Sequence, residues 1–397
     1  MKRVYITVAV TAACVVLAFS FLLSFWTRTG NSRTLTVGFI YEGDASTPYS
    51  YNFALAEEAL KEEYPGQVQI VSRSNVHESE IEEPVRELIG ESCSVLLANS
   101  YSPEYSELAA EYPDVEFIQV SYLPVVDETA PSNYHTFKGE IYQGRYVSGV
   151  AAGMKLRELL DNQIIKPEEA IVGFVAAFPN EEVISGFTAF FLGIRSVAPE
   201  AVMKVRYTGT WSSFDIEKKA ARELLDEGCI VISQHADTIG PALACEEESS
   251  RRQVFFVGYN QSMLSVAPTT ALISTRINWT PYIVGAVGAI LKGKPIEKSV
   301  EGRVHGSHDM SAGFDHNWVQ ILDLNTHIAA LGTPQKIDET ISQLKKGNIS
   351  VFKGDYIGVS SLDPSDTIDL NAGFEENADS SSPSFRWILK DWITIEE

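Results

Sequence analysis

A short β-branched apolar run at residues 35–41 (LTVGFIY) is followed by a Gly/Asp/Ser/Thr/Pro loop and then a helical apolar pattern over 51–63. This strand–loop–helix unit recurs along most of the chain. No other feature limits the possible folds so sharply. A parallel strand pair needs a crossover connection, usually a helix lying on the sheet, so repeated units of this kind predict parallel sheets covered on both faces. The first series reads as strand 68–72, helix 80–89, strand 94–98, helix 104–112 and strand 115–120. A looser Pro-containing stretch, 123–131, leads into a long helix of small and apolar residues over 140–159, and its polar exit loop, 161–167, is the expected first crossing between lobes.

The second series reads as strand 170–176, helix 182–197, strand 203–208, helix 215–227, strand 230–233, helix 239–247 and strand 254–257. Residues 272–276 and the helix 282–291 are expected to return the chain to the first lobe. The resulting fold class is α/β, with two doubly wound Rossmann-like lobes and a ligand cleft between them that closes by hinge motion. The expected division is 1–30 as signal peptide or membrane anchor, 34–160 plus about 276–325 as first lobe, and 165–275 plus about 326–360 as second lobe. Residues 361–397 complete the chain: an acidic Ser/Asn-rich stretch reaching back to 360 reads as a mobile loop to 383, and 385–395 as a segment packing back on the body.

Lys2 and Arg3 precede a charge-free apolar run from Val4 to Trp26, long enough to cross a bilayer once with its positive end inside. A retained anchor and a cleaved signal with a processing site near Ala18 and Ser20 both fit; a lipid-modified Cys14 fits less well, since the run stays apolar from Val15. Each version places the body outside the cytoplasm. The formal net charge of −22, with no offsetting Lys/Arg-rich run, would repel phosphate backbones and so argues against nucleic acid as partner. Cys93, Cys229 and Cys245 are an odd set without C-x-x-C spacing and read as small hydrophobes; His305 and His308, with only Asp309 and Asp315 near, make a weak zinc pattern. No cofactor motif is read.

Ligands of open α/β sheets bind beyond the carboxyl ends of the strands. Here those ends run into Tyr41–Glu42, Asn99–Ser100–Tyr101, Ser121–Tyr122, Phe178–Pro179, Thr210–Trp211, Gln234 to Asp237, Tyr259–Asn260 and Asn278–Trp279. Aromatics alternate with amides and hydroxyls, with almost no lysine or arginine. That composition suits a flat, neutral, polar-edged small molecule such as a purine, with rings against its faces and Asn, Asp and Ser at its rim. Phosphorylated ligands fit poorly, for no P-loop is present; Gly149 and Gly153 read as residues that let helices pack closely. An enzymatic alternative is a nucleoside hydrolase using Asp237 with His235, though no nucleophile or metal set assembles around them.

The segments TFKGEIYQGRYVSGVAAGM, VGFVAAFPNEEVISGFTAFFLGIRSVAPEA, VISQHADTIGPALACEE, VGYNQSM and INWTPY, together with the Trp211 loop, resemble the basic membrane protein family of ABC-transporter substrate-binding proteins. The opening GFIYEGDASTPYSYNFA and closing KDWITIEE extend the likeness over the body. The resemblance implies a type I periplasmic-binding-protein-like fold, no enzymatic activity, and partners in a separate permease and ATPase. It also implies a pocket for a purine base or nucleoside made by Tyr49, Tyr51, Phe178, Trp211, His235, Asp237, Asn278 and Trp279. Ser100, Tyr259 and Asn260 join them as strand-end candidates. Where many relatives carry an aspartate, this chain has Asn260 and Ser262, and where nucleoside binders carry a lysine it has Asn278–Trp279, which points to a free base over a nucleoside. A membrane-anchored sensor of the same fold is the alternative to uptake.

Overall fold

The computed structural model of the chain describes residues 34–44, 46–122 and 130–396. The apolar N-terminal run with Cys14, and most of the stretch 123–131, lie outside the described residues. Among those described, no helix is long and apolar enough to cross a membrane.

The first lobe is built from β1 (Leu35–Ile40), α1 (Pro48–Glu63), β2 (Val68–Arg73), α2 (Glu82–Gly90), β3 (Val95–Ala98), α3 (Glu104–Glu111), β4 (Glu116–Val120) and β5 (Tyr134–Gly139). Next come α4 (Ile141–Asp161), β6 (Ile171–Ala176), α5 (Glu181–Arg195), β7 (Val202–Tyr207), α6 (Phe214–Asp226), β8 (Val231–His235), α7 (Gly240–Glu248), β9 (Phe255–Tyr259) and β10 (Ala271–Ile277). Central strands such as Val95–Ala98 and Phe255–Tyr259 are buried along their whole length, as expected where helices cover both faces. The chain then runs through α8 (Thr280–Leu291), β11 (Arg303–His305), β12 (Asp309–Ala312), β13 (Val319–Leu322), α9 (Thr333–Lys345), β14 (Ile357–Ser360), β15 (Thr367–Asp369), β16 (Trp387–Leu389) and β17 (Ile393–Glu396).

The two large sheets are seven-stranded, in the orders β11-β12-β5-β4-β3-β1-β2 and β13-β10-β9-β8-β6-β7-β17. Each contains the same doubly wound core, β2-β1-β3-β4-β5 in one and β7-β6-β8-β9-β10 in the other, and all pairings are parallel except those of β11 with β12 and β10 with β13. The protein is therefore mixed α/β with two parallel-dominated sheets.

Three expectations about chain path need correction. The first crossing comes at Gly139–Ile141, ahead of α4 and not in the loop 161–167, because α4 packs on α5, β10 and β13 of the second lobe. A helix of small apolar residues says that it will be buried, not under which sheet. The strand read at 272–276 stays in the second sheet, paired with β9, and α8, which packs on α1, makes the return. The acidic tail is no mobile loop. β14, β15 and β16 form a small sheet, and Glu376, Asn377 and Ser380 to Ser382 are buried. Ser185 Oγ of the second lobe donates to Glu376 at 2.7 Å, the Ser381 N–H donates to Asp309 of the first lobe at 2.7 Å, and Ser382 bonds Ser121. Residues that read as solvated instead satisfy one another and two carboxylates.

The linkers between lobes run side by side. A Cβ on Gly139 would stand 2.7 Å from Ile277 and 3.0 Å from the Trp318 carbonyl, so only glycine fits. The Glu140 N–H donates to Ala312 at 2.9 Å and the Asn278 N–H to Trp318 at 2.7 Å.

Candidate functional site

The strand order reverses between β1 and β3 in the first sheet and between β6 and β8 in the second, opening a crevice at the carboxyl edge of each. The two crevices face each other and form a cleft of about 780 Å³, within the range of small-molecule sites. The first lobe contributes Glu42 and Tyr49, the Asn99–Tyr101 turn, Ser121, Tyr122 and Lys138; the second contributes Phe178, Asn180 and Glu182 after β6, Trp211 after β7, His235 at the end of β8 with Asp237 beyond it, and Tyr259 at the end of β9 with Asn260 beyond it.

Of the residues singled out from sequence, Tyr49, Ser100, Phe178, Trp211, His235, Asp237, Tyr259 and Asn260 come together in this cleft. Tyr51, Asn278 and Trp279 do not. Tyr51 lies on the outer face of α1 and is 43% exposed. Asn278 belongs to the interlobe linkers, donating from Nδ2 to Asn317 at 2.8 Å. Trp279 is fully buried against Phe137 and Phe53 and meets Tyr49 edge-on at 5.9 Å, so it backs the cleft wall without reaching the cavity. Both follow β10, which lies well away from the switch point. Sequence reasoning missed Lys138 and Glu182. The strand that carries Lys138 follows the Pro-containing stretch and has no clear apolar run of its own, and Glu182 in sequence has only the character of a helix start.

Rings dominate the second-lobe wall. Phe178 meets Trp211 edge-on with centroids 5.3 Å apart, and His235 packs on Tyr259 at 4.7 Å. Tyr101 and Tyr122, 6.3 Å apart, line the first-lobe side. Behind Tyr259, the wholly buried Arg145 guanidinium stacks on its ring at 3.7 Å. Ser100 Oγ is buried and has no hydrogen-bond partner among the described residues, which leaves it open to a bound molecule.

Polar contacts join the two lobes across the cleft. Lys138 Nζ of β5 donates to Glu182 in the first turn of α5 at 2.7 Å. Asp237 accepts from the Tyr49 N–H at 2.9 Å, Asn52 Nδ2 donates to Asn260 at 3.3 Å, and Asn180 Nδ2 donates to Tyr122 Oη at 2.8 Å. Burial pushes the Glu182 carboxyl up, but the Lys138 ammonium at 2.7 Å and the His235 ring at 3.7 Å outweigh it and hold it at about 2. Burial and the nearby Arg145 charge push His235 down to about 4, so its ring is neutral at physiological pH. Its Nδ1 lies against Gly186, where a Cβ would stand 2.6 Å away. Asp237 and His235 make no hydrogen bond with each other among the described residues: one faces α1, the other Glu182. The two therefore do not form the coupled pair that the hydrolase alternative requires.

Burial pushes the Asp237 carboxyl up to about 7, with the Tyr49 N–H and Asn260 opposing. The folded chain then holds a proton there that the unfolded chain releases near pH 4. Stability from this group falls as pH rises from about 4 to about 7, by at most about 1.4 kcal/mol per pH unit. Asp237→Asn keeps an acceptor for Tyr49 and is expected to flatten that slope and to be the more stable form at pH 8. Denaturant titrations across this range test it; parallel curves for the two proteins would sink the assignment.

The model of the family described as PnrA-like ABC transporter substrate-binding proteins matches residues 34–351. A purine-binding protein of Brucella abortus is 27% identical over 263 residues, covering 65% of this chain and 69% of that protein. A putative ABC transporter glucose-binding protein of Haloferax volcanii is 34% identical over 180 residues, 45% of this chain and only 41% of that relative. Among solved structures, an ABC transporter solute-binding protein of Conexibacter woesei superposes with a TM-score of 0.62 at 18% identity, covering 79% of this chain and 97% of that one.

Proposed function

The chain belongs to the PnrA-like family of ABC transporter substrate-binding proteins, and from that premise we propose that it captures a purine base or nucleoside between its lobes. Members of this family act outside the cytoplasm and deliver a small molecule to an ABC permease. The purine reading rests chiefly on one observation: the cleft is walled by Phe178, Trp211 and Tyr259 on one lobe and Tyr101 and Tyr122 on the other, with amides and carboxylates at its rim. Rings on both sides suit a planar heterocycle, and the Brucella relative is named for purines. The Lys138–Glu182 pair adds a charged donor and acceptor that vicinal hydroxyls of a ribose could use, which restores the nucleoside alongside the free base. Closure of the lobes and an N-terminal membrane attachment belong to the same proposal.

The test is thermal denaturation of the full chain in detergent with adenine, guanine, hypoxanthine, their nucleosides and glucose. A ligand at about 100 times its Kd adds roughly 2.7 kcal/mol of stability and raises the midpoint. Purines are expected to do so. A shift with glucose alone would overturn the purine reading in favour of the ligand for which the Haloferax relative is named. Trp211→Ala is expected to weaken purine binding about tenfold or more, because a lost aromatic contact costs roughly 0.5–1.5 kcal/mol beyond the area it buries.

A further inference from the structure

At the amino ends of the first-lobe strands, on the edge opposite the cleft, His135 of β5, His308 just before β12 and Glu297 of the short 3-10 turn after α8 converge, with one ligand atom from each lying within 4.8 Å of the others. We infer that these three side chains form a binding site for a transition-metal dication of the zinc class. His135 Nδ1 stands 2.7 Å from Glu297 Oε1, and that oxygen stands 3.0 Å from His308 Nδ1. Ligands at about 2.0–2.1 Å from a tetrahedral ion are roughly 3.3 Å apart, so an opening of a few tenths of an ångström admits the ion.

The surroundings are those of a built site. Glu116 lies 3.1 Å from His135 Nε2, which fixes the ring so that Nδ1 presents its lone pair, the carboxylate–histidine–metal arrangement that tunes such ligands. The buried His135 ring thus has a carboxylate at each nitrogen, Glu297 at Nδ1 and Glu116 at Nε2. The Thr136 N–H donates to the His308 carbonyl at 2.9 Å and holds that residue to the strand. His308 is 30% exposed, leaving the remaining coordination position toward solvent. Two nitrogens and a carboxylate oxygen suit zinc, and cobalt as its spectroscopic substitute, better than calcium or magnesium, which take oxygen ligands. The sequence pattern was weak because it grouped His308 with its neighbours. Asp309 is occupied by Thr136 and Ser381, His305 by Ser311, and the actual partners lie far along the chain. Bound metal would staple the segment returning through α8 to the first sheet, independently of the cleft.

Chelator-stripped, untagged full chain is titrated with Co²⁺ and followed by visible ligand-field absorption. Saturation at one equivalent, displacement by Zn²⁺ and a rise in Tm with Zn²⁺ are expected, with all three lost in His308→Ala. Glu116→Gln, which leaves the ligands in place, is expected to weaken Co²⁺ binding by about 10–100-fold. His308 is partly exposed, so its alanine variant folds where a change at the buried His135 can fail, and far-UV circular dichroism verifies this. No band at stoichiometric Co²⁺, or a band and Tm rise that persist in His308→Ala, overturns the site. Purine binding plays no part in this readout, so failure of one proposal is distinguishable from failure of the other.

Discussion

Lys138→Met is expected to destabilise the folded chain by about 3–5 kcal/mol at neutral pH, the usual cost of removing one partner of a buried ion pair. The Lys138 and Glu182 side chains are only 3% and 12% exposed and 2.7 Å apart. Without the ammonium, Glu182 would be a buried carboxylate with a neutral imidazole as neighbour, and burial would then drive its proton affinity up. The acid limb should change as well. In the native chain the folded carboxyl sits at about 2, below its unfolded value, so its stabilisation is complete above about 4.5 and is lost as pH falls toward 2. In Lys138→Met that acid-side loss should vanish. Lys138→Met/Glu182→Gln should recover most of the deficit, since no charge is left stranded. Urea titrations of both variants provide the test, and equal losses in the single and the double variant would mean that the pair is not coupled across the cleft.

Gly149→Val is expected to cost about 3 kcal/mol or more, at the upper end of overpacking effects, with Gly149→Ala intermediate. A Cβ at Gly149 would lie 2.0 Å from the Phe190 carbonyl oxygen, and one at Gly193 would lie 2.1 Å from the Tyr146 carbonyl oxygen. α4 and α5 thus touch backbone to backbone, and no side-chain rotation relieves the clash. The two helices must move apart. α5 carries Asn180 and Glu182 at its start and holds His235 against Gly186, so the displacement reaches the cleft. Helix propensity alone predicts the opposite sign, because alanine is favoured over glycine by about 1 kcal/mol in a helix interior. Gly90, at the end of α2, has no atom within 4 Å of its would-be Cβ, and Gly90→Ala should be neutral or slightly stabilising. Thermal unfolding of the three variants separates packing from propensity; a Gly149→Ala protein as stable as the native chain would remove the close-contact argument.

The recurring strand–helix pattern was sufficient by itself to determine that the chain makes two parallel-dominated lobes. Period and run length report burial locally, and nearly every strand and helix through α8 was recognised within a few residues. The same pattern located most of the cleft, because the carboxyl end of a parallel strand can be read without knowing the strand's neighbours; that rule brought Phe178, Trp211, Asp237 and Tyr259 to attention. Tertiary structure decided the rest. Whether a strand end opens into the crevice depends on strand order, a non-local property, and this is why Trp279 after β10 is core while Trp211 after β7 lines the cavity. Charges that meet only through chain crossings, such as Lys138 with Glu182 and His135 with Glu297, leave no local trace in sequence, since each residue read alone resembles an ordinary surface group. Periodicity encodes what each segment must bury, and only the folded chain determines against what.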